Sequence, residues 1–526
     1  MSNTACRFES LPSEILQLVV DCLVRDSLCA NGYVNLPPSF GPSCVDQKYR
    51  QTICSLRLTN KAWNEAASHA LVPIVRIDLN EASLARAEEI ASTPSIAAGV
   101  LGVDLVLGYC SEELANDSNA FARLKLDRFD SVCSTCPCCP KYMDRFFEKF
   151  PNSILYPGGI GKPEDREDDE EEDEEDPDLE GVNPEDVRQA KDRWELLNAV
   201  WDPSPLVENQ TRIYDKSAAD MLRKGLEQFQ TLSQEQRSLV TSGRFANSIG
   251  RILSKFPRLN SIVLRDGDAA RRDLPTQETI RTMLDDDEVL KIVAEPLPWA
   301  FYASRWQGGD VESGYYPQNT VAKLLWDIPI ALHRQGVSIR SLSVSSFPCG
   351  ENFQLGTPED GFVGGTGAEF RDFMSSLESF DFGYFHGGEH EFFMPPSMPE
   401  RQKNQVAEYL GACVSSHNLR NLNLHLGNFS PPVDTSEPLY FPLGKILSHV
   451  HTNTLFSVSI EYVTCSVLEF RSLISKLTRS TQAVRFEDFE INHGEVDDPK
   501  EEVLEAVGGE HNCSVYMSTI PRIRYV

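Results

Sequence analysis

The chain has 526 residues, of which 41% are hydrophobic, and a formal net charge of −30 at pH 7. This length allows several structural units and a sizeable core. The strong acidity excludes broad binding to nucleic acid or to anionic membranes, because both depend on basic residues.

Targeting and membrane signals are not expected. Residues 1–10 lack the basic region and apolar stretch of a signal peptide. Apolar runs are far shorter than the roughly 18–20 residues that a membrane span requires. The fourteen cysteines are scattered and lie mostly in apolar segments, which is typical of reduced core cysteines. We therefore expect a soluble protein of the cytoplasm, the nucleus or both.

The segment LPSEILQLVVDCL, residues 11–23, predicts a helix with an unusually wide apolar stripe. The stripe consists of two adjacent faces, one with Ile15, Val19 and Cys22 and the other with Leu16, Val20 and Leu23. A helix that packs on one core needs a stripe only about 100° wide. A second surface is therefore expected to cover one of the two faces.

Two further helices are predicted after residues 25–47, which are rich in Pro, Gly and Ser and indicate a loop. Helical periodicity resumes near Lys48, and Thr59 or Asn60 can cap a third helix that begins at Lys61. Three short helices cannot bury all of this apolar surface among themselves. An uncovered apolar face indicates a partner site.

The segments LPSEIL and LRLTNKAWNEAASHALVPIVRIDL resemble the F-box, a three-helix module, which we place at residues 8–75. The resemblance covers residues 8–24 and 48–79, with 25–47 as an insertion. It implies that the module binds the Skp-type adaptor of a cullin–RING ubiquitin ligase. The adaptor-binding positions implied are Leu11, Pro12, Ile15, Leu16, Val19, Leu56, Arg57 and Trp63.

A cysteine cluster, CSTCPCC at residues 133–139, lies in the connector predicted for residues 76–160. Cys133 and Cys136 have the spacing that lets two thiolates bind one zinc ion. Cys138 and Cys139 are too close to complete a tetrahedral site, and no second C-x-x-C or H-x-x-x-H pair lies at finger spacing. We expect a turn of reduced cysteines without metal or cofactor; zinc, redox activity and palmitoylation are the alternatives.

An acidic run at residues 163–181 forms the centre of a linker predicted for residues 161–190. Between Glu164 and Glu180, 14 of 17 residues are Asp or Glu. Charge repulsion and the lack of apolar groups predict a solvated, unfolded segment. The alternative is an acidic docking site for a basic partner.

A repeated pattern, apolar-x-x-apolar-x-apolar, predicts a series of short strands. The triplets are Val100/Val103/Leu105, Leu259/Ile262/Leu264, Ile339/Leu342/Val344, Leu377/Phe380/Phe382, Leu419/Leu422/Leu424, Leu455/Val458/Ile460 and Phe486/Phe489/Ile491. From residue 339 onward the triplets start 38, 42, 36 and 31 residues apart. This near-regular spacing favours a true repeat over chance matches.

Amphipathic helices are predicted between these strands. Their buried faces are expected to be Val406, Leu410, Cys413 and Val414 in one helix and Phe470, Leu473, Ile474 and Leu477 in another. A strand and a helix repeated in this way must stack on their neighbours. Residues 191–526 therefore resemble irregular leucine-rich repeats with long repeats. The predicted fold class is α/β, with a small three-helix F-box, a repeat solenoid and the acidic insertion.

Two glycine-containing motifs give little support for an enzyme. HGGEHE, residues 386–391, lacks the helical H-E-x-x-H geometry of a metalloprotease, and GFVGGTG, residues 361–367, matches no phosphate-binding loop. No Ser/His/Asp or Cys/His set stands out, although such sets are spatial. We expect no enzymatic activity and no metal ion.

The two resemblances together imply a substrate receptor of a Skp–cullin–F-box ligase. Outward positions of the predicted strands, Ser343, Asp381, Asn423 and Ser459, are expected to contact a protein substrate. The acidic balance of the chain favours a substrate segment with basic residues. Alternatives are an F-box-like scaffold that acts outside a ligase and an enzyme or metal protein built on the cysteine or histidine cluster.

Overall fold

A computed structural model describes residues 12–30, 47–133, 183–201, 215–267, 276–296, 319–345, 355–383, 400–426, 443–451, 454–492, 499–509 and 513–517. The chain divides into two compact units. The first unit contains residues 1–111, 234–267 and 297–526, and the second contains 112–233 and 268–296.

The first unit is built on a parallel β-sheet in which each strand pairs with the next strand along the chain. Within the described residues the sheet has nine strands, in the order β1 to β9, and all neighbours are parallel. The strands are β1 Ile74–Asp78, β2 Gly102–Val106, β3 Ser261–Arg265, β4 Ser341–Val344, β5 Ser379–Phe382, β6 Asn421–His425, β7 Ser457–Ser466, β8 Ala483–Asn492 and β9 Ser514–Met517. The predicted α/β class is confirmed.

Helices occupy most of the connections. They are α1 Ser13–Ala30, α2 Gln47–Thr59, α3 Lys61–Ser68, α4 Glu81–Ala91, α5 Pro94–Ala97, α6 Glu112–Asn116, α7 Ser118–Cys133, α8 Pro184–Trp201, α9 Lys216–Thr241, α10 Arg244–Leu253, α11 Thr276–Leu284, α12 Asp286–Ala294, α13 Asn319–Ala322, α14 Leu324–Arg334, α15 Gly367–Met374, α16 Glu400–Cys413, α17 Leu443–Leu447, α18 Val467–Ile474 and α19 Pro499–Val507. Among the helices that are described, none is long and apolar enough to cross a membrane.

One face of the sheet packs against helices in a continuous apolar core. Strand residues such as Leu105, Leu264 and Phe380 alternate into this core. The two predicted helix faces, in α16 and around α18, are buried as expected: Val406, Leu410, Cys413, Val414, Phe470, Leu473, Ile474 and Leu477. Neighbouring helices contact through an aromatic cluster in which the Trp326 ring lies 4.6 Å from Phe370 and 4.9 Å from Tyr409.

The predicted repeat frame holds for six triplets and is wrong for the seventh. In β8, Val484 pairs with Val458 and Phe486 with Ile460, so Thr481 takes the position that Leu455 occupies before β7. Thr481 is fully buried, and its hydroxyl donates to the carbonyl oxygen of Leu455 at 2.9 Å. A hydrogen bond therefore satisfies a polar residue at a position where the pattern expected an apolar one.

The second unit is helical in its described part. Phe121 of α7 and Phe229 of α9 form an edge-to-face pair with ring centroids 5.2 Å apart. The buried ammonium of Lys125 lies 5.0 Å from the Phe229 ring and donates to the carbonyl oxygen of Glu295. The ring and the carbonyl partly replace the water that this cation loses on burial.

Candidate functional site

The helices α1, α2 and α3, called the N-terminal module below, enclose a small apolar core of their own. It consists of Leu16, Val20, Ile53, Trp63, Ala66, Ala67 and Ala70. The side chain of Asn60 accepts the Trp63 amide at 2.9 Å and caps α3, as one of the two predicted caps. His69 Nε2 lies 2.8 Å from Asp21 Oδ1, which joins α1 to the end of α3.

The adjacent face of α1 is apolar and exposed. Ile15, Leu18 and Val19 are 43%, 58% and 41% exposed, and Cys22 is exposed beside them. These four residues, called the α1 stripe, have the i, i+3, i+4, i+7 spacing of one helix face. Of the two faces predicted for this helix, the one with Leu16 and Val20 is buried and the one with Ile15, Val19 and Cys22 is open.

The residues matched to the F-box motif differ in their exposure. Ile15, Val19 and Pro12 are exposed, whereas Leu16 and Trp63 lie in the core of the module. Leu56 and Arg57 are half-buried, and Arg57 Nε donates to Asn64 Oδ1 at 3.1 Å. Leu11 lies outside the described residues. Leu18 was not predicted, although its position three residues after Ile15 was a signal for it.

The second face of the sheet is largely polar. Strand pairing aligns one residue of every strand into a row across this face, called the middle row: Arg76, Asp104, Val263, Ser343, Asp381, Asn423, Ser459, Arg485 and Tyr516. The four predicted substrate-contacting residues are neighbours in this row. The period of two residues in a strand accounts for that alignment.

Between β2 and β5 the middle row is buried. Asp104 and Arg265 form a two-point ion pair, with Nε to Oδ1 at 2.7 Å and Nη2 to Oδ2 at 2.5 Å. Ser343 is 0% exposed and Asp381 is 1% exposed. These two predicted contact residues therefore lie below the surface.

Asp381 has a strongly altered acidity. The Ser343 hydroxyl donates to its Oδ2 at 3.0 Å. Burial, helped by the nearby Glu461 carboxylate, raises the pKa of Asp381 to about 7 although hydrogen bonds from Ser343 and Asn423 lower it. The carboxyl group is therefore poised to ionise near neutral pH.

From β6 onward the middle row is accessible. Asn423 and Ser459 are half-buried, and Arg485 and Tyr516 are exposed. The Ser459 hydroxyl donates to Glu461 Oε1 at 3.1 Å. Arg485 Nε donates to Glu487 Oε2 at 2.9 Å and lies 3.6 Å from Glu461 Oε1. The open part of the face thus carries linked polar and charged groups.

The remaining sequence motifs offer no metal or cofactor site within the described residues. Cys133 ends α7, and the rest of the cysteine cluster, the acidic run and His386–Glu391 lie outside the described residues. In GFVGGTG, the amides of Phe362 and Val363 donate to the buried carboxyl of Asp327 at 3.0 and 3.3 Å, so this loop has a structural partner. The described part of the chain holds no group of three His, Cys, Asp or Glu that suits a metal ion.

Comparisons of the chain with protein-family profiles, with curated proteins and with solved structures find no match.

Proposed function

We propose that the chain is a substrate-recognition subunit of a Skp–cullin–F-box ubiquitin ligase. The N-terminal module binds a Skp-type adaptor, and the second face of the sheet binds a protein substrate. The chain itself transfers no ubiquitin and acts by holding the substrate near the catalytic partners of the ligase. The observation that carries the proposal is the α1 stripe, an open apolar face on a helix whose other apolar face is already buried.

The α1 stripe supports adaptor binding on energetic grounds. Covering a large apolar side chain contributes about 1.5–3 kcal/mol relative to leaving it in water. Ile15, Leu18 and Val19 are adjacent on one helix face, so a single groove on a partner is able to cover all three. The F-box resemblance assigns this role to the same helix.

The sheet supports a receptor role through its strand order. Each strand pairs with its sequence neighbour, and one face of the sheet packs against helices in a continuous apolar core, as in stacked strand–helix repeats. This order agrees with the proposed leucine-rich-repeat-like solenoid. The polar second face from β6 to β9 is then the surface available to a substrate.

The first experiment co-expresses the full chain with a Skp-type adaptor and measures their affinity. We expect Ile15→Asp with Val19→Asp to weaken binding at least about a hundredfold, because two carboxylates would have to be desolvated in an apolar groove. Gln17→Asp is the matched control, since Gln17 is exposed on the same helix but outside the α1 stripe.

Circular dichroism of each variant checks that the module stays folded. Wild-type affinity in the folded double variant would refute the adaptor assignment. Recruitment of a cullin to the chain–adaptor pair is the second readout. A pair that forms but recruits no cullin would contradict the ligase role and favour a scaffold.

A further inference from the structure

Two carboxyl groups influence each other at the border between the buried and the accessible parts of the second face. Asp381 lies on β5, and Glu461 lies on β7 beyond the intervening strand β6. Glu461 is close enough to disfavour ionisation of Asp381. On β6, Asn423 pairs in register with Asp381 on one side and with Ser459 on the other, and Glu461 pairs with His425 two residues further along.

Two oxygen atoms of this cluster are buried without a donor. Asp381 Oδ1 and Asn423 Oδ1 accept no hydrogen bond of standard geometry from the residues that the structure describes. The Asp381 side chain is almost completely buried, so water does not compensate for the missing donor. Buried acceptors are nearly always paired in folded proteins, so these two oxygens call for a donor that the described residues do not supply.

The surrounding cations do not neutralise the cluster. Arg485 of β8 is shared between Glu461 and Glu487, and His425 Nε2 of β6 lies 4.0 Å from Glu461 Oε2. On β4, the neighbour of Asp381 is the uncharged Ser343. Within the described part of the chain, no cation is among the groups that shift the ionisation of Asp381.

We propose that the cluster of Asp381, Asn423 and Glu461, called the acceptor cluster, binds the arginine or lysine side chain of an extended substrate segment. This inference rests on the proposed receptor function and names the substrate class of its sheet face. A guanidinium carries five N–H donors and no acceptor, which suits the two unpaired oxygen acceptors Asp381 Oδ1 and Asn423 Oδ1. The side chain enters from the accessible side, past the half-buried Ser459.

The proposal has a pH signature. A bound cation favours the ionised form of Asp381, whose pKa burial raises to about 7 in the unliganded chain. Affinity for a cationic peptide is therefore expected to rise as pH increases towards and through about 7 and then to level off. Below that range the peptide must first displace a proton from the carboxyl group.

The test uses the full chain and two acetylated peptide libraries of equal length. One library has arginine at its central position, and the other has citrulline, which has the same shape without the charge. We expect the arginine library to bind about tenfold more tightly, as a charge-assisted hydrogen bond contributes. Asp381→Asn should abolish this preference and its pH dependence.

Asp372→Asn is the matched control, because Asp372 is exposed on α15 and its replacement changes the net charge equally. Asn423→Leu is a second variant that removes an acceptor and keeps the net charge; it should weaken the arginine library selectively. Should Asp381→Asn fail to fold, this variant carries the test.

Equal binding of the two libraries would overturn the inference. It would also be overturned if Asp372→Asn lost the preference for arginine to the same extent as Asp381→Asn. Calcium binding that is measured by calorimetry without peptide and abolished by Asp381→Asn would also overturn it, in favour of a metal site. These outcomes leave adaptor binding by the α1 stripe untouched. A failure of the inference is therefore distinguishable from a failure of the proposed function.

Discussion

The second face of the sheet has two different halves. From β2 to β5 the middle row is buried, and Asp104 forms a closed ion pair with Arg265. From β6 to β9 the middle row is accessible, and the exposed Arg485 contacts both the buried Glu461 and the half-buried Glu487. The same strand alternation thus produces an interior in one half and a surface in the other.

This difference shows that polarity in a strand does not by itself define a binding surface. A charge in the buried half must have a fixed partner, since desolvation is costly without one. A charge in the open half keeps part of its hydration, so its partners contribute less. Asp381 lies at the border and combines deep burial with an incomplete set of partners.

The largest effect is expected when the buried ion pair is broken. Asp104→Ala leaves the Arg265 guanidinium buried without its carboxylate and should lower the free energy of unfolding by about 3–5 kcal/mol. Urea unfolding monitored by fluorescence measures this change. Asp78→Ala is the control, because Asp78 pairs with Arg76 at 2.8 Å at a half-exposed site on β1. A loss no larger than that of the control would contradict the distinction between the halves.

An intermediate effect is expected at the border, and its sign depends on pH. The folded-state pKa of Asp381 is raised above the ordinary value of 3.8, so the folded chain binds a proton that the unfolded chain releases. Its contribution to stability is full below about pH 4 and is lost as pH rises through about 7. Because asparagine does not ionise, Asp381→Asn avoids this loss of stability and should raise the free energy of unfolding by about 2–4 kcal/mol at pH 8.

At pH 4 the same variant should leave the melting temperature nearly unchanged, because the aspartic acid is then neutral in both states. Thermal unfolding followed by circular dichroism at the two pH values measures the difference. A melting temperature that falls at pH 8 would show that the ionised carboxylate is well compensated in the folded chain. The difference between the two halves would then be supported by the Asp104–Arg265 pair and not by Asp381.

The smallest effect is expected in the open half. The Arg485 side chain is 55% exposed, so its contacts with Glu461 and Glu487 are screened by solvent. Arg485→Ala should lower the free energy of unfolding by less than about 1 kcal/mol, and added salt should reduce even that. The measurement is urea unfolding at low and high ionic strength. A salt-independent decrease in the free energy of unfolding of more than about 2 kcal/mol would show that these contacts behave like the buried Asp104–Arg265 pair.

The sheet was predictable from the sequence where an apolar triplet marks a strand and an amphipathic helix follows it. Triplets such as Leu377/Phe380/Phe382 enter the core as expected, because the strand period and the core face coincide. The last triplet was placed in the wrong frame because the fold accepts a hydrogen-bonded threonine, Thr481, at the first position. β1 and β9 lie outside the predicted triplets.

The candidate sites were predictable only in part. For α1 the sequence indicated two apolar faces, but both have the same chemistry, so it did not reveal which one faces the module core. Similarly, alternation placed Ser343 and Asp381 on the second face without indicating whether that face is covered. The Asp104–Arg265 pair was not predicted, since its members are far apart in sequence and meet only through the pairing of β2 with β3.

The pairing of β2 with β3 has a consequence for how the chain tolerates change in length. Residues 107–260 separate these two adjacent strands, and most of the second unit lies in that interval. The entropy of closing a flexible connection grows only with the logarithm of its length, so a tenfold longer connection costs about 2 kcal/mol. Sequence inserted at a strand end therefore adds little loop-closure free energy. The junctions after β2 and β3 are positions where a whole unit is gained or lost without a change in strand register.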